Sequence, residues 1–281
     1  MIILDGKKTK LDILEKLKKD IYKLNTSLGL AVIQIGEDPA SNVYVKNKAK
    51  MASDLGYKFK HIHFGINVSE EEVLKEIDKL NNDDSIDGIL VQMPIPSHLN
   101  SKRIQNAIDS LKDVDGLTDI NMGKLSHGVD SLVPCTPIGI IDLLKAYNIS
   151  MEGKCVVIVG RSDLVGKPLA SLMTNNNATV ILCHSKTNNL SEFTKLADIL
   201  VVAVGMPKMI TADMIKEGAT IIDVGINRIE DGLVGDVDFE NVKDKAEYIT
   251  PVPGGVGQMT VAELGVNTYK AHMLRENLLN K

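Results

Sequence analysis

Apolar positions along this chain follow two periods. Leu14, Leu17, Ile21, Leu24 and Leu28 recur at spacings of three and four, which places them on one face of an amphipathic helix. Residues 30–36 (LAVIQIG), apolar but for Gln34, read as the first buried strand. Asp38-Pro39-Ala40-Ser41 then reads as a helix start, with helical composition over 42–56. A strand is predicted over 57–66, and Ser69 with Glu72 makes a capping box that opens a helix over 70–80. A further buried strand covers 87–93, and a proline-rich link, LVPCTP at 132–137, precedes a helical stretch over 138–147. From there apolar strands at 155–160, 178–183, 199–204 and 220–225 alternate with a helix opened by Gly166 and Pro168 and with helical pieces near 190–197 and 211–216. Residues 223–227 and 235–237 bracket a short excursion with the character of a hairpin. Thr260 with Glu263 is expected to cap a last helix over 261–279.

Alternating strand and helix predicts an α/β fold with a doubly wound parallel sheet. At 281 residues the chain has room for two domains. The expected division is an N-terminal α/β domain over 1–136 and a Rossmann-type domain over 137–259. The last helix, 260–281, is expected to return and pack on the first domain.

Composition narrows the class. Apolar residues make up 44% and charged residues 25%, values of a globular protein, with no tryptophan and few aromatics, so the core is aliphatic. A formal charge of −5 with no long basic run argues against nucleic acid as a partner. Cys135, Cys155 and Cys183 are far apart, which indicates neither a disulfide framework nor a zinc site. The N-terminus turns charged at once, unlike a signal peptide, and no apolar run reaches membrane-spanning length. A reducing cytoplasm is the expected address.

The stretch VVIVGRSDLVGKPL at 156–169 reads as strand, tight turn and helix. Gly160 and Gly166 are in place, but Ser162 stands where the usual dinucleotide fingerprint has its middle glycine. On the glycines alone the segment is either a phosphate cradle at a helix N-terminus or a plain tight turn. The next strand ends in His184-Ser185-Lys186-Thr187, without the acid that holds a ribose 2′-hydroxyl. Arg161, Ser185 and Lys186 supply charge and donors instead, which favours NADP over NAD; Arg161 and Lys186 taken singly also read as solvated loop charge.

Other candidates stay open on local grounds. Tyr44 and Lys48, four apart on the predicted second helix, share a face. Gln92 ends a strand, where open α/β sheets place their sites, and also suits a loop-end amide that satisfies backbone groups. Asp113 and Asp115 are either turn chemistry or a ligand-binding pair. His61 and His63 share a strand face with no third ligand at metal spacing, so no metal is expected. PVPGGVG at 251–257 permits close backbone approach to a ligand, or forms a hinge.

Taken in order, these stretches resemble one family nearly end to end, the bifunctional methylenetetrahydrofolate dehydrogenase/methenyltetrahydrofolate cyclohydrolases of the FolD type. The matching motifs are AS at 40–41 followed by YVKNK at 44–48, GILVQMPIP at 88–96, KDVDG at 112–116 and PCTPIG at 134–139. They continue with VGRSDLVGKP at 159–168, CHSKT at 183–187, IDVGIN at 222–227 and TPVPGGVGQMT at 250–260. Two departures stand out. Gln258 replaces the family's usual proline after GGVG, and Thr9-Lys10 stands where the family has a small residue opening its first helix.

The resemblance implies two reactions. NADP-dependent oxidation turns 5,10-methylenetetrahydrofolate into the 5,10-methenyl form, and hydrolysis then gives 10-formyltetrahydrofolate. It implies Lys48 as catalytic acid/base, Gln92 as its orienting partner, and Tyr44 as a group that packs on the pterin or helps position Lys48. Asp115 is implied to hold the pterin's amino-pyrimidine edge, with Pro253 and Gly254 on the substrate side. Gly160, Arg161, Ser162, Val165, Gly166, Ser185, Gly205 and Ile226 are implied to bind the cofactor. It also implies a substrate cleft between the domains and a homodimer formed through the cofactor domain, with no role for membrane or nucleic acid. Two rival readings are a shikimate-type two-domain NADP dehydrogenase and a non-catalytic NADP-binding module. The first leaves the set Tyr44, Lys48, Gln92 and Asp115 unexplained, and the second predicts binding without turnover.

Overall fold

The computed structural model describes residues 1–24, 26–230 and 232–279. In chain order its elements are β1 (Ile2–Ile3), α1 (Gly6–Tyr22), β2 (Gly29–Ile35), α2 (Pro39–Leu55), β3 (Lys58–Phe64), α3 (Glu70–Asn81), β4 (Gly88–Val91), α4 (Ser101–Asn106), α5 (Asp119–Ser126) and α6 (Cys135–Ala146). Then come β5 (Cys155–Val159), α7 (Gly166–Asn175), β6 (Thr179–Cys183), α8 (Leu190–Thr194), β7 (Ile199–Val202), β8 (Thr220–Asp223), β9 (Asn227–Ile229), β10 (Gly232–Val234), α9 (Phe239–Val242), β11 (Tyr248–Ile249) and α10 (Val256–Leu279). No helix among the described residues is long and apolar enough to cross a membrane.

The chain forms two compact units. One holds residues 12–124, 129–135 and those from Val261 onward. Its sheet is parallel, in the order β3-β2-β4, and the central β2 is buried at every position. That burial on both faces is why β2 is apolar at every position but Gln34. One side is covered by a cluster that includes Leu17, Leu30, Met51, Leu55 and Leu264, the other by Ile33, Val73, Ile77, Leu80 and Ile89. The expected capping box of α3 is present, with both Ser69 and Glu72 hydrogen bonds formed. At the start of α2 the capping group is Asp38, whose carboxylate accepts from the Ser41 N–H at 2.7 Å.

The other unit holds residues 1–11, 125–128 and 136–260. Its six parallel strands run β1-β11-β8-β7-β5-β6. The connection order reverses beside β5, which has β6 on one side and β7 on the other. Such a reversal opens a crevice at the carboxyl ends of the strands.

Several expectations change. The division expected over 1–136 differs at the N-terminus, because β1 pairs with β11 and carries residues 1–11 into the six-stranded unit. α1 opens at Gly6 under an Asp5 cap, ahead of Thr9-Lys10, and ends at Tyr22, so Leu24 and Leu28 continue its apolar spacing beyond the helix. The last helix starts at Val256, five residues before the expected 261. Thr260 is therefore inside it, where its hydroxyl pairs with Thr136 at 2.9 Å rather than capping. Here the Thr-x-x-Glu spacing falls inside the helix, and the chain turn is made at Gly254, whose φ is +113°. The excursion near 223–237 is a hairpin, β9 against β10.

Candidate active site and cofactor cavity

In the three-stranded unit, α2 carries Tyr44 and Lys48 one turn apart, and the end of β4 carries Gln92. The Lys48 Nζ donates to Gln92 Oε1 at 2.8 Å. The Gln92 Nε2 donates to the Met93 carbonyl at 2.6 Å, which fixes the amide so that its oxygen faces Lys48. Gln92 is thus a loop-end amide bound to backbone, one of the two readings its position allowed, and its side-chain oxygen accepts from Lys48. Burial pushes the Lys48 ammonium below its ordinary pKa, opposed by the negative charge of Asp115. Burial pushes the Asp115 carboxyl up, opposed by Lys48. Tyr44 stays 43% exposed one turn before Lys48.

The acidic pair of the sequence divides. Asp113 accepts from the Thr118 N–H at 2.8 Å and from Asn121 Nδ2 at 2.9 Å, so it is turn chemistry. Asp115 faces Lys48 and Cys135. Gly116, at φ +69°, lies so close to Val133 that a Cβ would stand 2.4 Å from its carbonyl carbon. Asn267, on α10, donates to the carbonyls of Val114 at 2.9 Å and Val133 at 2.8 Å and so clamps the segments that bear Asp115 and Cys135. Sequence reading missed Asn267, since a lone amide inside a helical pattern carries no signal of its own. Burial pushes the Cys135 thiol well above its ordinary value, which leaves it a hydrogen-bonding group rather than a nucleophile. His61 and His63 stack, and their ring nitrogens pair with Gln34 Oε1 at 3.1 Å and the Gly36 carbonyl at 2.8 Å. Among the described residues no group of three metal-ligating side chains occurs.

In the six-stranded unit, β5 ends at a turn that only glycine fits. Gly160 has φ +122°, and a Cβ there would stand 2.3 Å from the Ala203 carbonyl oxygen. A Cβ on Gly166 would stand 1.9 Å from the Gly160 oxygen. Ser162 closes the turn, its hydroxyl accepting from the Val165 N–H at 3.2 Å. Beside this turn is a cavity of about 280 Å³ lined by Gly160, Arg161, His184, Ser185, Val204 and Met206, among others. Among the described residues no carboxylate lines it. A backbone cradle with an arginine and a serine fits a nucleotide bearing a 2′-phosphate. Gly205, at φ +66°, lies between the lining residues Val204 and Met206. Ile226 lies against the glycine loop, its Cδ1 3.3 Å from where a Cβ on Gly257 would sit. Pro253 and Gly254 belong to this unit and do not line the cavity. Gln258 lies near Lys10, with Nζ and Oε1 3.5 Å apart.

Comparison with known proteins decides the family. Residues 4–115 match the model of the tetrahydrofolate dehydrogenase/cyclohydrolase catalytic domain, and residues 134–276 match that of the family's NAD(P)-binding domain. The chain belongs to the tetrahydrofolate dehydrogenase/cyclohydrolase family. It is 55% identical over 260 residues to the bifunctional protein FolD of Bacillus cytotoxicus, covering 91% of each chain. The bifunctional FolD structure from Campylobacter jejuni superposes at a TM-score of 0.95, with 48% identity over 98% of this chain and 99% of that one. The Trypanosoma brucei FolD, solved with NADP cofactor and an inhibitor, superposes at 0.94 with 33% identity over 98% of both. Family membership turns the two regions described above, the Lys48 cluster and the Gly160 cavity, into the candidate catalytic and cofactor sites of a tetrahydrofolate dehydrogenase/cyclohydrolase.

Proposed function

We propose that this protein oxidises 5,10-methylenetetrahydrofolate with NADP+ and hydrolyses the methenyl product to 10-formyltetrahydrofolate, with the two steps served by different residues. The observation that carries the reading is the partly buried Lys48–Gln92 pair beside Asp115.

NADP+, when bound, supplies the hydride acceptor for the methylene carbon. The cation left on the folate is delocalised over two nitrogens and no proton need leave, so the residues around this step chiefly align the reactants. Arg161 and Ser185 hold the 2′-phosphate, and Gly160, Ser162, Val165 and Gly166 cradle the nucleotide from the turn. Gly205, Ile226 and the loop of Pro253 and Gly254 bring backbone against the reacting ends.

Hydrolysis needs a base and then an acid. A lysine is mostly ammonium at neutral pH, and the burial of Lys48 raises its neutral fraction. Neutral Nζ takes a proton from water as the new C–O bond forms at the methenyl carbon. The ammonium returns that proton to N5 as the C–N5 bond breaks, and the hydroxyl proton of the intermediate leaves to solvent. Gln92 holds Nζ in place through both transfers. Asp115 offers two carboxylate oxygens to the paired donors of the pterin, and Tyr44 packs on the ring. The protein works in the cytoplasm as a homodimer joined through the NAD(P)-binding domain.

The test is hydrolysis of the methenyl compound with no nucleotide present, next to NADP+ reduction from the methylene compound. Both proceed on this reading. An enzyme that only reduces NADP+, or a protein that binds it without turnover, contradicts it. Light scattering checks the dimer, and a monomeric mass rejects it.

A further inference from the structure

The stretch GDV at 235–237, which sequence reading treats only as the far bracket of a hairpin, contains a fully buried carboxylate, Asp236. Four donors reach it. The N–H groups of Val204 and Gly205 meet Oδ2 at 2.7 and 2.9 Å, and the Met206 N–H meets Oδ1 at 2.8 Å. The fourth is Asn227 Nδ2, at 2.9 Å from Oδ1. Three of the four are consecutive amides of the loop that leaves β7. Such a run of amides forms a concave anion site, filled here by the protein's own side chain.

Asp236 is itself held. Its N–H donates to Asp223 Oδ1 at 2.9 Å, and the Val237 N–H donates to Asp223 Oδ2 at 2.9 Å. Gly225 packs against it so closely that a Cβ would stand 2.2 Å from the Asp236 carboxyl carbon. The carboxylate therefore joins the loop after β7, which carries Gly205, to the segment after β8, which carries Ile226. Val204 and Met206 line the cavity beside Gly160, while Asp236 does not.

We propose that Asp236 is a positioning residue for the cofactor: it holds residues 204–206 in their binding shape before NADP arrives. The inference rests on the reading that this cavity takes the 2′-phosphate end of the nucleotide. A loop ordered in advance spares the ordering cost at binding. Asparagine in its place offers one acceptor oxygen, and turns an NH2 group toward amides that are themselves donors.

The experiment uses the full chain with Asp236→Asn and, as a control on the site, Arg161→Ala. NADP+ affinity is read by calorimetry, kcat and KM from the dehydrogenase, and hydrolysis from the methenyl compound without nucleotide. Asp236→Asn is expected to raise the NADP+ Kd and KM by about tenfold or more, the cost of at least one orphaned donor and a loosened loop. Dehydrogenase kcat at saturating NADP+ and hydrolysis are expected to stay close to wild type. Unchanged NADP+ affinity overturns the inference, and so does an equal loss of both activities, which marks a role in folding alone. If Arg161→Ala weakens binding and Asp236→Asn does not, the site stands and only this inference falls. If neither weakens it, both fall. Amide exchange in the wild-type protein decides the case if Asp236→Asn does not fold. Residues 204–206 are expected to be protected without NADP+; fast exchange that slows only when NADP+ is added overturns the proposal.

Discussion

Replacing Lys48 with methionine should separate the two activities. Methionine keeps most of the lysine stem and removes the only proton carrier assigned to hydrolysis. A positioned acid/base contributes about 10²- to 10⁴-fold to such a step, or about 3–5 kcal/mol of barrier. Hydrolysis should fall by that factor toward the uncatalysed rate. The cost to the fold is smaller. Gln92 Oε1 loses a donor at 2.8 Å, and a buried acceptor left unmade costs about 1–3 kcal/mol. Removing a desolvated ammonium offsets part of this, and the Gln92 amide keeps its bond to the Met93 carbonyl. The variant should therefore melt within a few degrees of wild type. The assay follows the methenyl chromophore twice, as it decays from added methenyltetrahydrofolate and as it builds up from the methylene compound with NADP+. Lys48→Met should let the methenyl form accumulate while NADPH still appears. Equal loss of both rates, or hydrolysis left intact, refutes the reasoning.

Asp115→Asn should raise the KM for folate by about ten- to a hundredfold, since a pair of charge-assisted hydrogen bonds becomes a weaker mismatched one; an unchanged folate KM rejects the role. Hydrolysis in the wild type should rise with pH as Lys48 loses its proton, on a limb below the ordinary lysine range, because burial lowers that pKa. Asp115 charge opposes the lowering, so Asp115→Asn should move the limb to lower pH, and a shift upward contradicts the assignment. Arg161→Ala should weaken NADP+ more than NAD+, by about ten- to a hundredfold in relative kcat/KM, and equal effects on both remove Arg161 from the 2′-phosphate site. Asp87 accepts from the Gly29 N–H, His272 and Arg275 while almost fully buried; Asp87→Ala should cost about 3–5 kcal/mol in urea unfolding, and a loss under about 1 kcal/mol rejects that weight. Burial raises the Asp223 carboxyl to about 6. The native state then holds a proton that the unfolded chain has released, so the contribution of Asp223 to stability should decline as pH rises from about 4 through 6. A wild-type stability that rises across that window relative to Asp223→Asn contradicts this sign.

Much of the molecule was legible in the chain because buried parallel strands write themselves as apolar runs. Residues 30–36 and 155–160 mark β2 and β5 to within a residue, and Ser69 with Glu72 fixes the start of α3. Elements of two residues, such as β1 and β11, carry no periodicity, and their pairing over more than 240 positions of sequence is set by tertiary contact. The start of α10 lies ahead of the one its capping spacing predicts, because that spacing falls inside the helix and the chain turns at the glycines before it. In the site, Lys48 and Gln92 could be matched as motifs, but nothing in their spacing states that an amide bound to Met93 faces the amine. Asp113 and Asp115 look alike in sequence and differ only in what the fold places beside them. Asp236 and Asn267 escaped notice for a related reason. Each acts by binding backbone groups far away in sequence, and backbone groups leave no mark in a side-chain pattern.

The most direct test of the central claim is one absorbance time course from 5,10-methylenetetrahydrofolate with the wild-type protein, run in parallel with NADP+ and with NAD+. The account predicts NADPH formation with no lasting methenyl band, and a much slower reaction with NAD+. Persistent methenyl would contradict the hydrolytic role of Lys48 and Gln92, and reaction with NAD+ alone would contradict the cofactor site built around Arg161 and Ser185.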